Sequence, residues 1–230
     1  MKNAKRILAL LLCAILLVGA SIAGTVAYLT DKDDVTNTFT VGNVQIDLFE
    51  SIVNEMGKKT GGRTEDGNAY HLLPGHTYSK DPTVHMLEDS ESSYVRMLVK
   101  VTNYSNLKAA MPAEKYPTYY DAHGDFLLQY LVNGWDPAVW VTTNVISVVD
   151  DVATYEFRYF ETVAGPADDN DASTTQELAL EPLFTEITVP GTVNNTELQN
   201  LKNVTINVEA HAIQKDGFAD AAAAWAAFNP

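Results

Sequence analysis

The sequence predicts a mainly β fold, an antiparallel jelly roll or β-sandwich with a few short helices and long loops. Its 230 residues are 46% hydrophobic and 20% charged, which is typical of a folded soluble domain. Short segments alternate polar and apolar residues with the period of two that strands require. Turn-rich segments separate them without the strand–helix alternation of parallel sheets. At this length we expect one domain.

The strand predictions follow from this alternation. The clearest strand is 94–102, which places Val95, Met97, Val99 and Val101 on one face. Further strands are predicted at 36–48, in two pieces joined at Gly42 and Asn43, and at 140–149, 153–160, 183–189 and 203–213. Short helices are predicted at 125–132, capped by Asp125, at 194–201 and at 217–228. Residues 50–70 and 165–176 are predicted as loops and 104–124 as irregular.

The first 27 residues have the architecture of a secretory signal peptide. Lys2, Lys5 and Arg6 precede an apolar run over 7–23. Thr25 and Ala27 are the small residues that a signal peptidase reads, so the mature chain is expected to begin at Tyr28. Because the apolar run is at the lower edge of membrane-spanning length, an uncleaved anchor is the alternative.

The charge of the chain limits its partners. It has 30 acidic and 15 basic residues, a net charge of −15. Loss of 1–27 removes three basic residues and no acidic one, which leaves a net charge of −18. Such a chain is repelled by phosphate backbones and anionic lipids, so we expect no nucleic-acid partner and membrane contact only through the signal segment.

Catalytic motifs are absent from the sequence, and we expect no enzymatic activity. The one cysteine, Cys13, lies in the signal segment, so the mature chain has no thiol nucleophile or thiolate ligand. The spacing of His71, His76 and His85 would allow a zinc site, but the sequence has no His-Glu-x-x-His motif. Neither a G-x-S-x-G nucleophile turn nor a phosphate-binding P-loop occurs. We therefore expect neither catalytic nor metal-ligating residues.

Two other groups of residues resemble binding sites, one for calcium and one for a sugar. Residues 168–171, Asp-Asp-Asn-Asp, resemble half of a calcium loop but lack its glycine and final glutamate, so we expect no cofactor, with structural calcium as the alternative. A set of aromatic residues could form a sugar-stacking platform, although core packing is their commoner use. This set comprises Tyr116, Tyr119, Tyr120, Trp135 and Trp140.

Residues 24–31 (GTVAYLTD) and 37–44 (NTFTVGNV) resemble the TasA/camelysin family of secreted Gram-positive surface and biofilm-matrix proteins. Weaker similarity continues through 73–84, 94–96 and 211–218. The resemblance implies a jelly roll, export after cleavage by a dedicated signal peptidase, and fibres assembled by insertion of one subunit's N-terminal strand into the next. Camelysins are also classed as metallopeptidases, an activity for which this sequence has no zinc motif.

The expected function is therefore a secreted structural subunit of an extracellular matrix or cell-surface fibre, which self-associates and joins other matrix proteins. Residues 28–48 form an N-terminal extension with the first strands, and 49–230 the rest of the domain. The assembly strand would use Tyr28, Leu29, Val35, Phe39 and Val41. From the residues alone, without the resemblance, the favoured interpretation of this segment is an ordinary edge strand of its own domain. Alternative functions are a monomeric surface module that binds a glycan or host protein, and a camelysin-like metallopeptidase.

Overall fold

Antiparallel strands in two layers dominate the computed structural model, which describes residues 42–116, 127–169 and 176–228. The mainly β, sandwich-type prediction is confirmed. The strands are β1 (Ile46–Val53), β2 (Lys59–Thr64), β3 (Thr77–Ser79), β4 (Thr83–Leu87), β5 (Ser93–Thr102), β6 (Val132–Asn133), β7 (Trp140–Val149), β8 (Val152–Tyr159), β9 (Glu177–Ala179), β10 (Glu186–Thr188) and β11 (Thr205–Gln214). The helices are α1 (Tyr104–Ala110), α2 (Leu127–Leu131), α3 (Asn195–Leu201) and α4 (Ala221–Ala227).

The first layer consists of two short sheets that continue one another. One has the order β2-β1-β4-β9 and the other β3-β10-β6. Backbone hydrogen bonds bridge the interval between them, from Lys80 N to the Thr185 carbonyl (3.1 Å) and from Leu183 N to the Pro82 carbonyl (3.0 Å). β3 and β4 therefore run beside β10 and β9, respectively. The two short sheets form one ladder whose regular pairing is interrupted in the middle.

The second layer has the order β11-β5-β8-β7, with antiparallel pairing throughout. β5 lies inside this sheet and alternates buried and half-buried residues along its whole length. Its inward residues pack on Val84 and Met86 of β4 in one hydrophobic core. The period of two therefore produces the buried face that the sequence predicts.

The helices close one end of the sandwich and cover part of its outside. Leu107 of α1, Leu127 and Leu128 of α2 and Leu201 of α3 belong to the core. α3 begins with a capping box in which the Asn194 side chain accepts from the Thr196 and Glu197 amides. α4 packs against β11.

Most of the longer predicted elements are present. The predictions are confirmed for β5, β7, β8, β11, α3 and α4. The observed ends of these elements differ from the predicted ones by a few residues. The strand predicted at 183–189 is shorter, because only β10 is regular there, although Leu183 and Phe184 are buried. α2 lies within the helix predicted at 125–132, whose proposed cap Asp125 is outside the described residues.

The prediction of a loop over 50–70 is wrong. β1 continues to Val53, across the boundary expected at Leu48, and then forms a hairpin with β2. Gly57 makes the turn with a left-handed φ of +72°. β2, with the sequence KTGGRT, has no apolar alternation, because its side chains face solvent and its pairing uses backbone groups.

The prediction of irregular structure throughout 104–124 is also wrong, since α1 occupies its first part. The amide of Ser105 donates to the Asp151 carboxylate (2.7 Å), and the amide of Tyr104 to the Asp151 carbonyl (3.0 Å). Asp151, in the turn between β7 and β8, thus caps α1, although Ser105 lies 46 residues earlier in the chain. Pro112 follows the helix and prevents its continuation.

No helix among the described ranges is both long and apolar enough to cross a membrane. The predicted signal segment lies outside them. The described residues belong to a unit that begins at Gly42.

Candidate docking groove

A groove borders the first half of β11. Two cavities of about 710 and 130 Å³ make up this groove, which we call the β1–β11 groove; β1 lines only the smaller cavity, and the larger one is lined by residues within 66–73, Lys80, the helices α1 to α3, β10 and the start of β11. They adjoin because they share several lining residues: Asp66, Gly67, Lys80, Ile206 and Asn207. Leu48 and Glu50 of β1 face Ile206 and Val208 of β11 across the smaller cavity. The smaller cavity therefore lies between strands of different layers.

Both strands that border the groove have backbone edges without a strand partner in the described part of the chain. β11 pairs with β5 on one side only, over all ten residues from Thr205 to Gln214. β1 pairs with β4 over Ile46–Phe49, and β2 joins its other edge only from Glu50 onward. Such edges offer unpaired N–H and C=O groups to another strand.

The apolar wall of the groove is incompletely covered. Ile206 and Val208 stand directly opposite Val101 and Val99 in the β11–β5 register. Val99 and Val101 are fully buried, whereas Ile206 and Val208 are only half-buried. Leu48 is likewise half-buried. The core is therefore closed over β5 and open at the groove, where further apolar side chains would gain burial.

The deep end of the groove is also apolar. Side chains from all of α1, α2 and α3 reach it, together with residues at β10: Leu107, Leu131, Ile187, Val189, Leu198 and Leu201. Lys80 and Glu50 lie where the cavities adjoin, with Lys80 Nζ 2.5 Å from Glu50 Oε1. The smaller cavity is mostly polar there, since Thr64, Glu65, Asp66 and Asn207 also line it. The groove therefore combines an apolar part with a polar part.

The chain enters β1 along a path held by hydrogen bonds. Asn43 forms a parallel bridge with Ser90, and its carbonyl accepts from the Glu91 amide at 2.8 Å. The Gln45 amide donates to Ser90 Oγ at 3.0 Å, and its carbonyl accepts from the Leu87 amide at 3.0 Å. These bonds hold residues 43–45 beside the corner between β4 and β5.

The residues predicted for cleavage and assembly lie outside the described residues. They are Thr25, Ala27, Tyr28, Leu29, Val35, Phe39 and Val41. Sequence periodicity missed the groove, because alternation identifies a strand without showing whether it lies at an edge.

The three histidines considered for zinc lie in separate surroundings. His85 lies near the carboxylate of Glu177 (3.3 Å), while His76 Nε2 is 2.9 Å from the Met56 carbonyl. His71 lies on the rim of the larger cavity. Within the described ranges, no three His, Cys, Asp or Glu residues gather closely enough to hold a metal ion.

The half calcium loop is described only at Asp168 and Asp169. The Asp168 amide donates to the Asp89 carboxylate (3.2 Å), and Asp169 accepts from the Gln176 amide group (2.9 Å). Asn170 and Asp171 lie outside the described residues. These hydrogen bonds attach the loop at Asp168 and Asp169 to neighbouring residues.

The described members of the aromatic set pack inward. Trp140 is fully buried and its indole N–H donates to the Glu181 carbonyl (2.9 Å). The indole of Trp135 donates to the Trp140 carbonyl (2.8 Å), and Tyr116 is buried against Tyr130. These residues are core side chains and form no exposed stacking surface. Tyr119 and Tyr120 lie outside the described residues.

Comparisons of this chain with protein-family models, with curated proteins and with solved structures find no match. The resemblance of residues 24–48 to the TasA/camelysin family therefore stays a prediction.

Proposed function

We propose that this chain is a secreted structural subunit of an extracellular fibre and that its β1–β11 groove receives the N-terminal segment of a neighbouring subunit. The observation that carries the proposal is the edge of β11 that has no strand partner in the described part of the chain, beside which Ile206 and Val208 stay half-buried. Addition of a strand satisfies a ladder of backbone groups and fills side-chain pockets at once.

The N-terminal segment has the chemistry that such a site requires. Val35, Phe39 and Val41 lie at even spacing, so an extended chain presents all three on one face. Residues 35–41 span about 23 Å when extended, and the ten residues of β11 span about 33 Å. The segment is therefore short enough to lie along β11 within the length of the groove.

The hydrogen bonds of residues 43–45 to Ser90, Glu91 and Leu87 hold the start of β1 at the corner between β4 and β5. We propose that the segment before this corner enters another copy of the chain. A head-to-tail contact of this kind produces a filament when its rotation does not close into a ring.

The proposal can be tested by placing one charge on each of two edge strands. Val208→Lys puts an ammonium in the groove, whereas Val141→Lys puts the same group on β7, the opposite edge of the sheet, where Val141 is 48% exposed. Mature protein beginning at Tyr28 would be made in both forms. Thermal unfolding of each monomer checks that both have folded.

We expect Val208→Lys to abolish filaments seen by electron microscopy, because burial of an unpaired charge opposes insertion. Val141→Lys should leave them unchanged. Filaments of normal number and length from folded Val208→Lys protein would show that the groove does not receive the strand.

A further inference from the structure

One buried carboxylate contacts both an amine and a carboxamide. Oε1 of Glu50 lies 2.5 Å from Nζ of Lys80, and Oε2 of Glu50 lies 3.5 Å from Nδ2 of Asn68. The side chains of Lys80 and Glu50 are only 7% and 10% exposed. Lys80 and Asn68 also line the same larger cavity. Glu50 therefore connects a group that can become a nucleophile, the Lys80 amine, with a carbonyl group that can be attacked, the Asn68 carboxamide.

The backbone of β1 holds the Asn68 carboxamide in one orientation. Its Oδ1 accepts from the Val53 amide at 3.0 Å, and its Nδ2 donates to the Ser51 carbonyl at 3.0 Å. These bonds form where the β1–β2 register shifts between Ser51 and Val53. They put the carboxamide nitrogen at the end that meets Glu50 and a backbone N–H donor on the oxygen. Such a donor stabilises the negative charge that develops on Oδ1 when the carbonyl carbon is attacked.

The Lys80 amine is held for the same reaction. Within residues 42–116, 127–169 and 176–228, its Nζ donates only to Glu50. The Lys80 backbone is fixed between β3 and β4, because its amide donates to the Thr185 carbonyl at 3.1 Å. Passing one proton from Nζ to Oε1 leaves a neutral amine beside a carboxylic acid and removes two buried charges. The neutral amine is the form that attacks a carbonyl carbon.

We propose that Lys80 and Asn68 of the same chain become joined by an isopeptide bond, with Glu50 as the catalytic proton carrier. This inference does not depend on the proposed fibre function. Glu50 first takes one proton from Nζ through Oε1. The electron pair of Nζ then forms a bond to Cγ of Asn68, and one electron pair of the C=O bond moves onto Oδ1, beside the Val53 N–H.

Breakdown of this intermediate releases ammonia. As Oδ1 re-forms its double bond, the Cγ–Nδ2 bond breaks, and its electron pair leaves with Nδ2. Glu50 returns its proton to Nδ2 through Oε2, then takes the second proton from Nζ and loses it to solvent. The chain thus loses one ammonia and gains one amide bond, and no cofactor or oxidant takes part. The bond closes a covalent loop around β3, in a chain whose single cysteine allows no internal disulfide.

Digestion of the folded protein with trypsin, followed by mass spectrometry, detects the bond. Trypsin cleaves after free lysine and arginine, which here are Arg63, Lys80 and Arg96. The unreacted chain yields the peptide 64–80 at the mass of its sequence. A bond at Lys80 blocks cleavage there, so we expect the peptide 64–96, lighter by one ammonia, about 17 Da. Closure of Asn68 on its own backbone also loses ammonia, but it leaves the peptide 64–80.

Three variants assign the roles. Lys80→Arg keeps a positive charge beside Glu50 but removes the amine, so only the peptide 64–80 should appear, with no ammonia lost. Glu50→Gln removes the proton carrier with little change of shape, and should slow formation of the peptide 64–96 after refolding by about a hundredfold or more. Lys59→Arg is the matched control, because Lys59 pairs with Asp81 and is 55% exposed. It should cross-link like the unchanged protein. Thermal unfolding checks that each variant has folded.

The unchanged protein decides first. If it is folded and yields the peptide 64–80 at the mass of its sequence, the proposal is overturned, whatever the variants show. Loss of ammonia that persists in Lys80→Arg would also overturn it, because Asn68 would then react alone. Cross-linking of Glu50→Gln at the unchanged rate would overturn the role of Glu50. The peptide 64–96 lacking one ammonia, present in unchanged and Lys59→Arg protein and missing from Lys80→Arg, supports the bond.

Discussion

Nε of Arg96 donates a hydrogen bond to Nδ1 of His211 at 3.3 Å, between directly opposed residues of β5 and β11. The Arg96 guanidinium also lies over the ring of Trp225, 4.4 Å from its centroid. The imidazole of His211 stacks on Phe228 at 4.9 Å. Arg96 and His211 together therefore attach α4 and the residue after it to the outer face of the sheet.

We expect this attachment to weaken in acid. Burial lowers the pKa of His211 below its ordinary value of 6.5, as do the neighbouring charges of Arg96 and Lys100, against an opposing effect of Glu209. A histidine whose pKa is lower in the folded state stabilises the fold above about pH 6.5, and this stability falls as the pH drops below that value. Urea unfolding at pH 7.5 and 5.5, followed by tryptophan fluorescence, measures the change.

His211→Gln supplies the control for this pH effect. Glutamine can still accept from Arg96 but does not titrate, so the loss of unfolding free energy between pH 7.5 and 5.5 should be smaller than in the unchanged protein. An equal loss in both proteins would show that His211 is not responsible.

Gly57 is expected to tolerate no side chain. Its φ is +72°, and a Cβ there would lie 2.5 Å from the Cα of Tyr78, a fully buried residue. Gly57→Ala should therefore lower the free energy of unfolding by about 3 kcal/mol or more, from backbone strain and overpacking together. Urea denaturation measures this loss.

Gly67 is the matched control, because its φ of +75° is similar but nothing lies within 4 Å of its Cβ position. Gly67→Ala should cost only the backbone strain, about 1 kcal/mol. Equal losses at the two positions would contradict the steric role of Tyr78.

How much of the fold is predictable from sequence depends on which interactions form each element. β5 was predictable because its alternation is a direct result of burial on one face. β2 was not, since it is held by backbone pairing with β1 and has no apolar pattern. α1 was not, because its cap, Asp151, is distant in sequence.

The candidate site was less predictable than the fold. The β1–β11 groove depends on which strands lie at the edges of two sheets, which periodicity does not record. Lys80 and Glu50 are 30 residues apart and have no motif to mark them as a buried pair. The sequence indicates the segment that we propose as the docking strand, through Val35, Phe39 and Val41, but not the surface proposed to receive it.

Acid is expected to promote association of the mature protein. A net charge of −18 opposes the approach of like subunits, and protonation of exposed carboxylates between pH 7 and 4.5 reduces that repulsion. The Arg63 hydrogen bond lowers the pKa of Glu177. Burial raises the pKa of Asp81, but hydrogen bonds from Lys59 and Ser51 outweigh it and leave that pKa lowered. The ion pairs of Glu177 and Asp81 therefore persist to a lower pH than the one at which exposed carboxylates lose their charge.

Light scattering at fixed ionic strength tests this expectation, with the signal rising as the pH falls. A signal that stays flat from pH 7 to 4.5 would mean that charge does not limit assembly.

The secreted form is expected to begin at or within two residues of Tyr28, because Thr25 and Ala27 are the small residues that follow the apolar run. The mass of the intact secreted protein determines its first residue. A mass equal to that of the full chain would favour the uncleaved anchor instead.

Electron microscopy of mature protein beside a variant lacking residues 28–41 tests the central claim, that one subunit's N-terminal segment fills the next subunit's β1–β11 groove. Phe39→Asp, which puts a charge on the inserted face, is the point variant to include. We expect filaments from the intact mature protein, folded soluble monomers from the deletion variant, and few or no filaments from Phe39→Asp. Filaments from the deletion variant under the conditions in which the intact protein forms them would contradict the claim.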